Sequence, residues 1–421
     1  MHVCTNDSMP VLQLDETNLF IGEKKIPCLS VLYIVPSTDN TDSLVKIVFV
    51  NKSRTAFKSA LARLPESLSL ESLRARCSPP DSLAPVPMRR RLLVIINPQS
   101  GKGSSVKKWD SAVKPILVES GIFKLLPVVV TTRPNQAKEA VEELSRQDAE
   151  PFEIACFGGD GTLSEIINGL VASKNGGRPY LVHPMPSGSG NGLACSILAA
   201  AGEPLTLIAA VRAMMRGLTQ GFSLFEVEAF GGRARERDEP QEIRKKIGFL
   251  SLTFGIIADT DIESERLRFL GGARFTVCGI LNILRFRKYG AVVRYKTGQL
   301  GEWKSIEFQD FSSISLYRAS HANSDFIAAP ERRLDDQMMS LSAVRSVEGG
   351  RMGLISVMLA AETGTQSEKC KFWRPINVTD FEVTITSGHQ KGAGFVLDGE
   401  PIKGEVVRGR IIPEMAFTYR P

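Results

Sequence analysis

The sequence predicts an α/β domain built on a parallel sheet, followed by a second, mainly antiparallel β domain of the sandwich type. Three observations carry this. Between residues 92 and 217 short continuous apolar runs alternate with helical stretches; beyond residue 222 the pattern changes to period two; and a Pro-rich, basic segment precedes both. A chain of 421 residues accommodates two large domains or three small ones.

The first 76 residues start irregularly, then show strand-like runs at 29–35 and 45–50 and a helical pattern at 54–64, which reads as a small N-terminal module. Residues 77–91 hold Pro79, Pro80, Pro85 and Pro87 with the basic run Arg89 to Arg91, the chemistry of a linker. In the α/β region, strands are expected at 92–96, 126–130, 154–157 and 180–185, with helices at 105–119, 136–146, 162–172 and 193–201. This alternation implies a parallel sheet covered on both faces. The β region, 218–421, offers strands at 224–230, 247–257, 291–295, 314–318, 338–344, 381–387, 394–397 and 406–412, interrupted by a charged loop at 231–246.

Composition narrows the function classes. Hydrophobic residues make up 43% and charged residues 23%, with 36 Gly and 23 Pro, which excludes collagenous, coiled-coil and wholly disordered chains. A net charge of +6 suits anionic ligands or an anionic membrane surface better than a long nucleic-acid footprint, so no nucleic-acid partner is expected. Seven scattered cysteines without a CxxC pair argue against a disulfide framework or a structural zinc, hence for a reducing, cytoplasmic setting. The N-terminus lacks the basic start and apolar core of a signal peptide. The longest apolar runs, 277–284 and 354–361, fall short of the ~20 residues that span a bilayer, so lipid would be met at the membrane surface.

Three loops carry the chemistry: Asn97-Pro98-Gln99-Ser100-Gly101-Lys102-Gly103, Phe157-Gly158-Gly159-Asp160-Gly161-Thr162 and Pro186-Ser187-Gly188-Ser189-Gly190-Asn191-Gly192. Each follows an apolar strand and opens a helix, and in an open parallel sheet such loops converge on one crevice. Glycines let backbone N–H groups approach phosphate, and helix N-termini favour anions. The first loop is not a Walker A sequence, because Ile96 stands where its first Gly belongs and Gly103 where Ser or Thr belongs; the third fails GxGxxG. Asp160 is the sharpest residue. A carboxylate inside a phosphate-cradling turn has a purpose if it holds Mg²⁺ or takes a proton from an attacking hydroxyl.

The GGDGT loop continuing into Ser164-Glu165-Ile166-Ile167-Asn168-Gly169-Leu170, with NPxSGKG before it and PSGSGN after it, resembles the diacylglycerol-kinase-type catalytic fold of lipid kinases. Residues 255–268, which include Asp259-Thr260-Asp261-Ile262-Glu263-Ser264-Glu265, and Gly271-Gly272-Ala273-Arg274-Phe275-Thr276 resemble the region peculiar to sphingosine kinases, as does Val396-Leu397-Asp398-Gly399-Glu400. The resemblance covers residues 92 to about 421. Two small departures are Gly158, where animal members often have Ser, and Gly192, where Ala follows GSGN.

The resemblance implies a nucleotide-binding α/β domain, a lipid-binding β-sandwich, and ATP and Mg²⁺ as cofactors. Asn97, Pro98, Gln99, the segment from Thr131 to Asn135, Glu165, Gly188, Ser189 and Gly190 would contact ATP, with Arg268, Arg274, Asp398, Gly399 and Glu400 around its phosphates. Asp160 would be the catalytic base, and Asp160 and Glu400 the residues nearest the metal. Gly158, Gly159, Gly161 and Asp261 would face the substrate, a sphingoid base whose primary hydroxyl is phosphorylated. The residue chemistry agrees: phosphoryl transfer is positioning plus charge neutralisation, and a carboxylate at Asp261 suits an ammonium and has no purpose for neutral diacylglycerol.

Residues 274–288 place apolar Val277, Ile280, Leu281 and Leu284 at i, i+3, i+4, i+7 before Arg285, Arg287 and Lys288. This is either a packed helix or an amphipathic one at the mouth of the lipid pocket, where Val277, Ile280 and Leu281 would dip into an anionic membrane. A calmodulin-type partner would suit the same composition. The histidines have no metal spacing, and Cys156 and Cys195 read as buried thiols. Alternatives are a ceramide or diacylglycerol kinase, an NAD kinase, which shares GGDGT, and a catalytically dead lipid-binding adaptor. The DxDxESE stretch argues against the dinucleotide, and the presence of Asp160, Arg268, Arg274 and Glu400 against the dead enzyme.

Overall fold

The computed structural model describes residues 10–15, 18–27, 31–36, 44–50, 56–65, 67–77, 90–148, 150–174, 180–230, 244–270, 273–298, 300–387 and 394–420. The expected charged loop lies outside these as far as residue 243, and the linker outside them at 78–89.

The N-terminal residues build two antiparallel three-stranded sheets, Leu12–Leu14 with Asn18–Ile21 and Lys24–Pro27, and Val31–Pro36 with Leu44–Val50 and Phe57–Arg63, and then a helix, Leu70–Cys77. Leu19, Ile26, Ile47 and Leu73 close their shared core. The helix expected at 54–64 is a strand. Phe57–Arg63 pairs residue for residue with Leu44–Val50, from Val50↔Phe57 to Leu44↔Arg63, and seven ladder pairs outweigh the local helical preference of Ala60, Leu61 and Ala62. The module is tied to the α/β region at Glu119, which accepts from Tyr33 Oη at 3.0 Å and pairs with Lys46 Nζ at 2.6 Å.

The parallel strands lie in the order Phe123–Leu125, Arg90–Ile96, Glu153–Gly158, Tyr180–Pro186. The central strands Arg90–Ile96 and Glu153–Gly158 are nearly all buried, as a sheet covered on both faces requires. The strand order reverses between Arg90–Ile96 and Glu153–Gly158, the position at which open α/β sheets form a ligand crevice. One expected strand at 126–130 is instead Phe123–Leu125 and Val129–Val130, split at Pro127, which has no N–H for the ladder. Helix 105–119 forms with a π turn at Trp109–Val113, where Trp109 packs edge-on against Phe157 at 5.4 Å.

Most of the later strands are antiparallel and continue the same sheet. Val406–Tyr419 pairs parallel with Tyr180–Pro186 at one end and antiparallel with Thr219–Phe230 and Asp380–Ser387 along its length. A strand expected at 247–257 breaks into Arg244–Gly248, Ser251–Gly255 and a helix, Ile256–Ser264. Gly255 makes the last break possible: its φ is +85°, and a Cβ there would meet Ser312 O at 2.6 Å.

Candidate active site

The three glycine loops touch one another. A Cβ on Gly188 would stand 2.4 Å from Gly159 Cα, and one on Gly101 2.5 Å from Ser187 O, so loops one, two and three pack backbone against backbone. Asn97 links the first to the second, donating from Nδ2 to Thr162 Oγ1 at 3.0 Å while Oδ1 accepts from Gln99 N. Asn191 closes the third, bonding Gly188 N and O through its side chain at 3.0 and 2.9 Å. Some of these glycines are therefore demanded by loop contact as well as by approach to a ligand.

Asp160 is the first residue of the helix Asp160–Ala172 and faces the start of Gly192–Ala200. Its Oδ2 accepts from Gly192 N at 2.8 Å and Oδ1 from Leu193 N at 3.4 Å. Burial pushes its carboxyl up to about 6, with those N–H bonds working the other way. A carboxylate with such a value is ionised at neutral pH yet basic enough to receive a proton.

One cavity of about 1290 Å³ runs past all of this. It is lined by Asn97, Gln99, Thr131, Asn135, Glu165, Gly188, Ser189 and Gly190, and by apolar groups including Ile256, Phe275, Ile283, Leu354, Val357 and Trp373. Asp160, Gly159 and Gly161 line it too, as do Asp261, Arg274, Asp398, Gly399 and Glu400. Pro98 and Gly158 are not among its lining residues; Gly158 packs on Thr162 instead.

Asp261 projects from Ile256–Ser264 into this space, and among the described residues its carboxylate has no hydrogen-bond partner. Burial raises its carboxyl to about 7, Arg274 pulling it down and Glu265 pushing it up. A carboxylate so placed is an open site for a cation.

Comparison with known proteins fits this geometry. Residues 91–227 match the diacylglycerol kinase catalytic domain. Human sphingosine kinase 1 is 30% identical over 78% of this chain and 90% of its own length, and sphingosine kinase 1 of Caenorhabditis elegans 33% over 76% and 79%. The chain belongs to the sphingosine kinase family. A crystal structure of a diacylglycerol kinase from Bacillus anthracis, 15% identical, superposes with a TM-score of 0.55 over 79% of this chain and 97% of that one, a likeness of fold.

Within this member of the sphingosine kinase family, several expected site residues take part in internal contacts. Asp398, at φ +50°, spends its carboxylate on the backbone N–H groups of Phe249, Leu250 and Ser251 at 3.0, 2.9 and 2.8 Å. Burial still pushes it up to about 7. Glu165 Oε2 accepts from Ala137 N at 3.1 Å, at the start of the helix that comes after the Thr131–Asn135 loop. Arg274 is paired with Glu265 at 2.8 Å and lies over the Phe275 ring at 4.6 Å. The side chain of Arg268 lies outside the described residues. Spacing alone gives no sign that Asp398 and Asn191 hold backbone; both sit in turn chemistry, where Asx side chains often do so.

Glu400 stands over the second loop, its Oε1 3.1 Å from where a Cβ on Gly161 would be. The described residues contain no group of three or more His, Cys, Asp or Glu that could hold a metal. Mg²⁺ needs only one or two carboxylates when substrate phosphates supply the rest, so the residues present fit that ion.

The helix Ala273–Arg285 is two-faced. Phe275, Thr276, Gly279 and Ile283 face the cavity, while Val277, Ile280, Leu281 and Leu284 are 39–62% exposed, so the stripe is not packed. At the basic end Arg285 is paired with Glu263 and Arg287 with buried Asp259 at 2.7 Å, while Arg285, Arg287 and Lys288 all remain exposed. Among the described residues no helix is long and apolar enough to cross a membrane. Cys156 and Cys195 are buried thiols, Cys195 pushed up to about 12 by burial.

Proposed function

We propose that this enzyme transfers the γ-phosphoryl group of ATP to the primary hydroxyl of a sphingoid base. The hydroxyl oxygen forms a bond to phosphorus as the bond to the β–γ bridging oxygen breaks. ADP leaves, and the hydroxyl proton passes to Asp160. The observation that carries this reading is one cavity shared by the glycine loops, Asp160 and the open carboxylate of Asp261, which suits the ammonium of an amino-diol.

The glycine-loop side takes the nucleotide, with Asn97, Gln99, Thr131, Asn135, Glu165 and Gly188 to Gly190 around it, and Arg268 and Arg274 toward the phosphates. For Arg274 this means exchanging Glu265 for phosphate oxygens. Mg²⁺, held by Glu400 on the Asp160 side of the site together with the phosphates, would neutralise the charge that spreads over the transferring group. Asp398 and Gly399 set the turn from which Glu400 projects.

In this reading residues 92–217 form the nucleotide-binding domain and 218–421 the lipid-binding β-sandwich, with 1–76 a separate module and 77–91 a linker. The apolar limb of the cavity supports the second assignment. The exposed stripe of Val277, Ile280 and Leu281 supports peripheral contact with a membrane on the cytoplasmic side; a calmodulin-type partner is the competing occupant of that stripe. Incubating the purified protein with radiolabelled ATP and sphingosine, phytosphingosine, ceramide or diacylglycerol tests the whole reading. Label in the sphingoid bases is the expected result; label in diacylglycerol or ceramide alone would overturn it.

A further inference from the structure

The cavity wall carries a second polar group beside Asp261. Tyr317 ends the strand Lys304–Tyr317 and lines the cavity with only 3% of its surface exposed. Its ring packs on Ala328 and Ala329, which fixes it in place. Among the described residues its hydroxyl has no hydrogen-bond partner. Burial raises the phenol, and the nearby Asp261 charge raises it further, so the two groups sense each other.

The strand register says which end of the cavity this is. Tyr317 lies directly opposite Ser251, whose N–H is held by Asp398, two residues before Glu400 over the second glycine loop. Tyr317 thus stands on the Asp160 side of the pocket, where a substrate's head must sit if it is to be phosphorylated. A hydrocarbon tail there would leave the buried phenol hydroxyl without a partner, which is unfavourable.

We propose that Tyr317 is a specificity-determining residue that hydrogen-bonds the secondary hydroxyl of the sphingoid head, on the carbon next to the one bearing the amine. Two protein groups close together, Asp261 and Tyr317, would then read two substrate groups on adjacent carbons. The inference rests on the proposed sphingoid-base activity. It adds a requirement for a second hydroxyl, which the carboxylate alone does not impose.

The test compares sphinganine with its 3-deoxy analogue, which keeps the amine and the primary hydroxyl. The wild-type enzyme should prefer sphinganine by about tenfold in kcat/KM, roughly one hydrogen bond. Tyr317→Phe should erase that preference by losing about tenfold on sphinganine while holding its rate on the analogue and its KM for ATP. Equal losses on both bases, or a wild-type enzyme indifferent to the hydroxyl, would overturn the assignment. Failure of the wild-type enzyme to phosphorylate either base is a different result: it would overturn the sphingoid-base reading itself, and this inference with it.

Discussion

The Asp160 carboxylate accepts the backbone N–H of Gly192 at 2.8 Å, so the proposed base sits across the gap between two helix starts and is held there by the third glycine loop. Base position and loop position are therefore one structural fact. Moving either moves the other.

Asp160→Asn tests the chemical half of this. The amide oxygen can still accept from Gly192 N, so folding and ATP binding should persist while the proton acceptor is lost. Turnover should fall by about 10²–10⁴-fold. Thermal melting with and without ATP, beside steady-state rates, separates the two; near-normal turnover would remove Asp160 from the base role.

Gly188→Ala tests the loop half. The added methyl would meet Gly159 Cα at 2.4 Å and Gly159 N at 2.8 Å, all backbone, so the loops must part. We expect nucleotide affinity to drop about tenfold or more and the melting temperature to fall, since overpacking of this kind typically costs ~1–3 kcal/mol. Unchanged ATP affinity by calorimetry would show that the loops do not grip the nucleotide together.

Much of the site is legible in the sequence, and the failures have causes. The three loops come after strands whose unbroken apolar runs admit little else, so the crevice and Asp160 are readable from residues 92–192. The strand Phe57–Arg63 is not, because its identity lies in a partner, Leu44–Val50, rather than in its own Ala-rich pattern. The helix Leu207–Arg216 is absent from the sequence expectations although its ends are marked: Thr206 accepts from Ala209 N at 3.1 Å, and Gly217 comes next at φ +76°. At the site, the pairing of Arg287 with Asp259 and of Arg274 with Glu265 depends on helix packing that spacing does not encode.

The pH dependence of lipid binding should follow Asp261. Its carboxyl is raised to about 7, chiefly by burial, so it is mostly neutral at pH 6 and mostly ionised at pH 8. Only the ionised form pairs with an ammonium. Affinity for a non-reactive amino-diol should therefore rise several-fold between pH 6 and pH 8, whereas an N-acylated analogue, measured by the same titration, should show no such rise. A rise of the same size for both would assign the pH effect elsewhere.

The exposed stripe of the Ala273–Arg285 helix gives a separable prediction. Ile280→Asp with Leu284→Asp removes two side chains that are 46% and 62% exposed, so the fold should hold. Binding to vesicles containing phosphatidylserine should weaken by about tenfold or more, with turnover of detergent-dispersed sphingosine kept within about twofold. Undiminished vesicle sedimentation would place the membrane contact on another face.

The proposed reaction depends on a pairing of Asp261 with the amine of a sphingoid base within reach of Asp160. Its most direct test is kcat/KM for sphingosine and for an N-acylated analogue, measured on the wild-type enzyme and on Asp261→Asn, with ATP affinity as the control. A wild-type preference for the free amine that the substitution reduces at least several-fold is expected, with ATP binding nearly unchanged. Equal losses on the amine and the amide would contradict it.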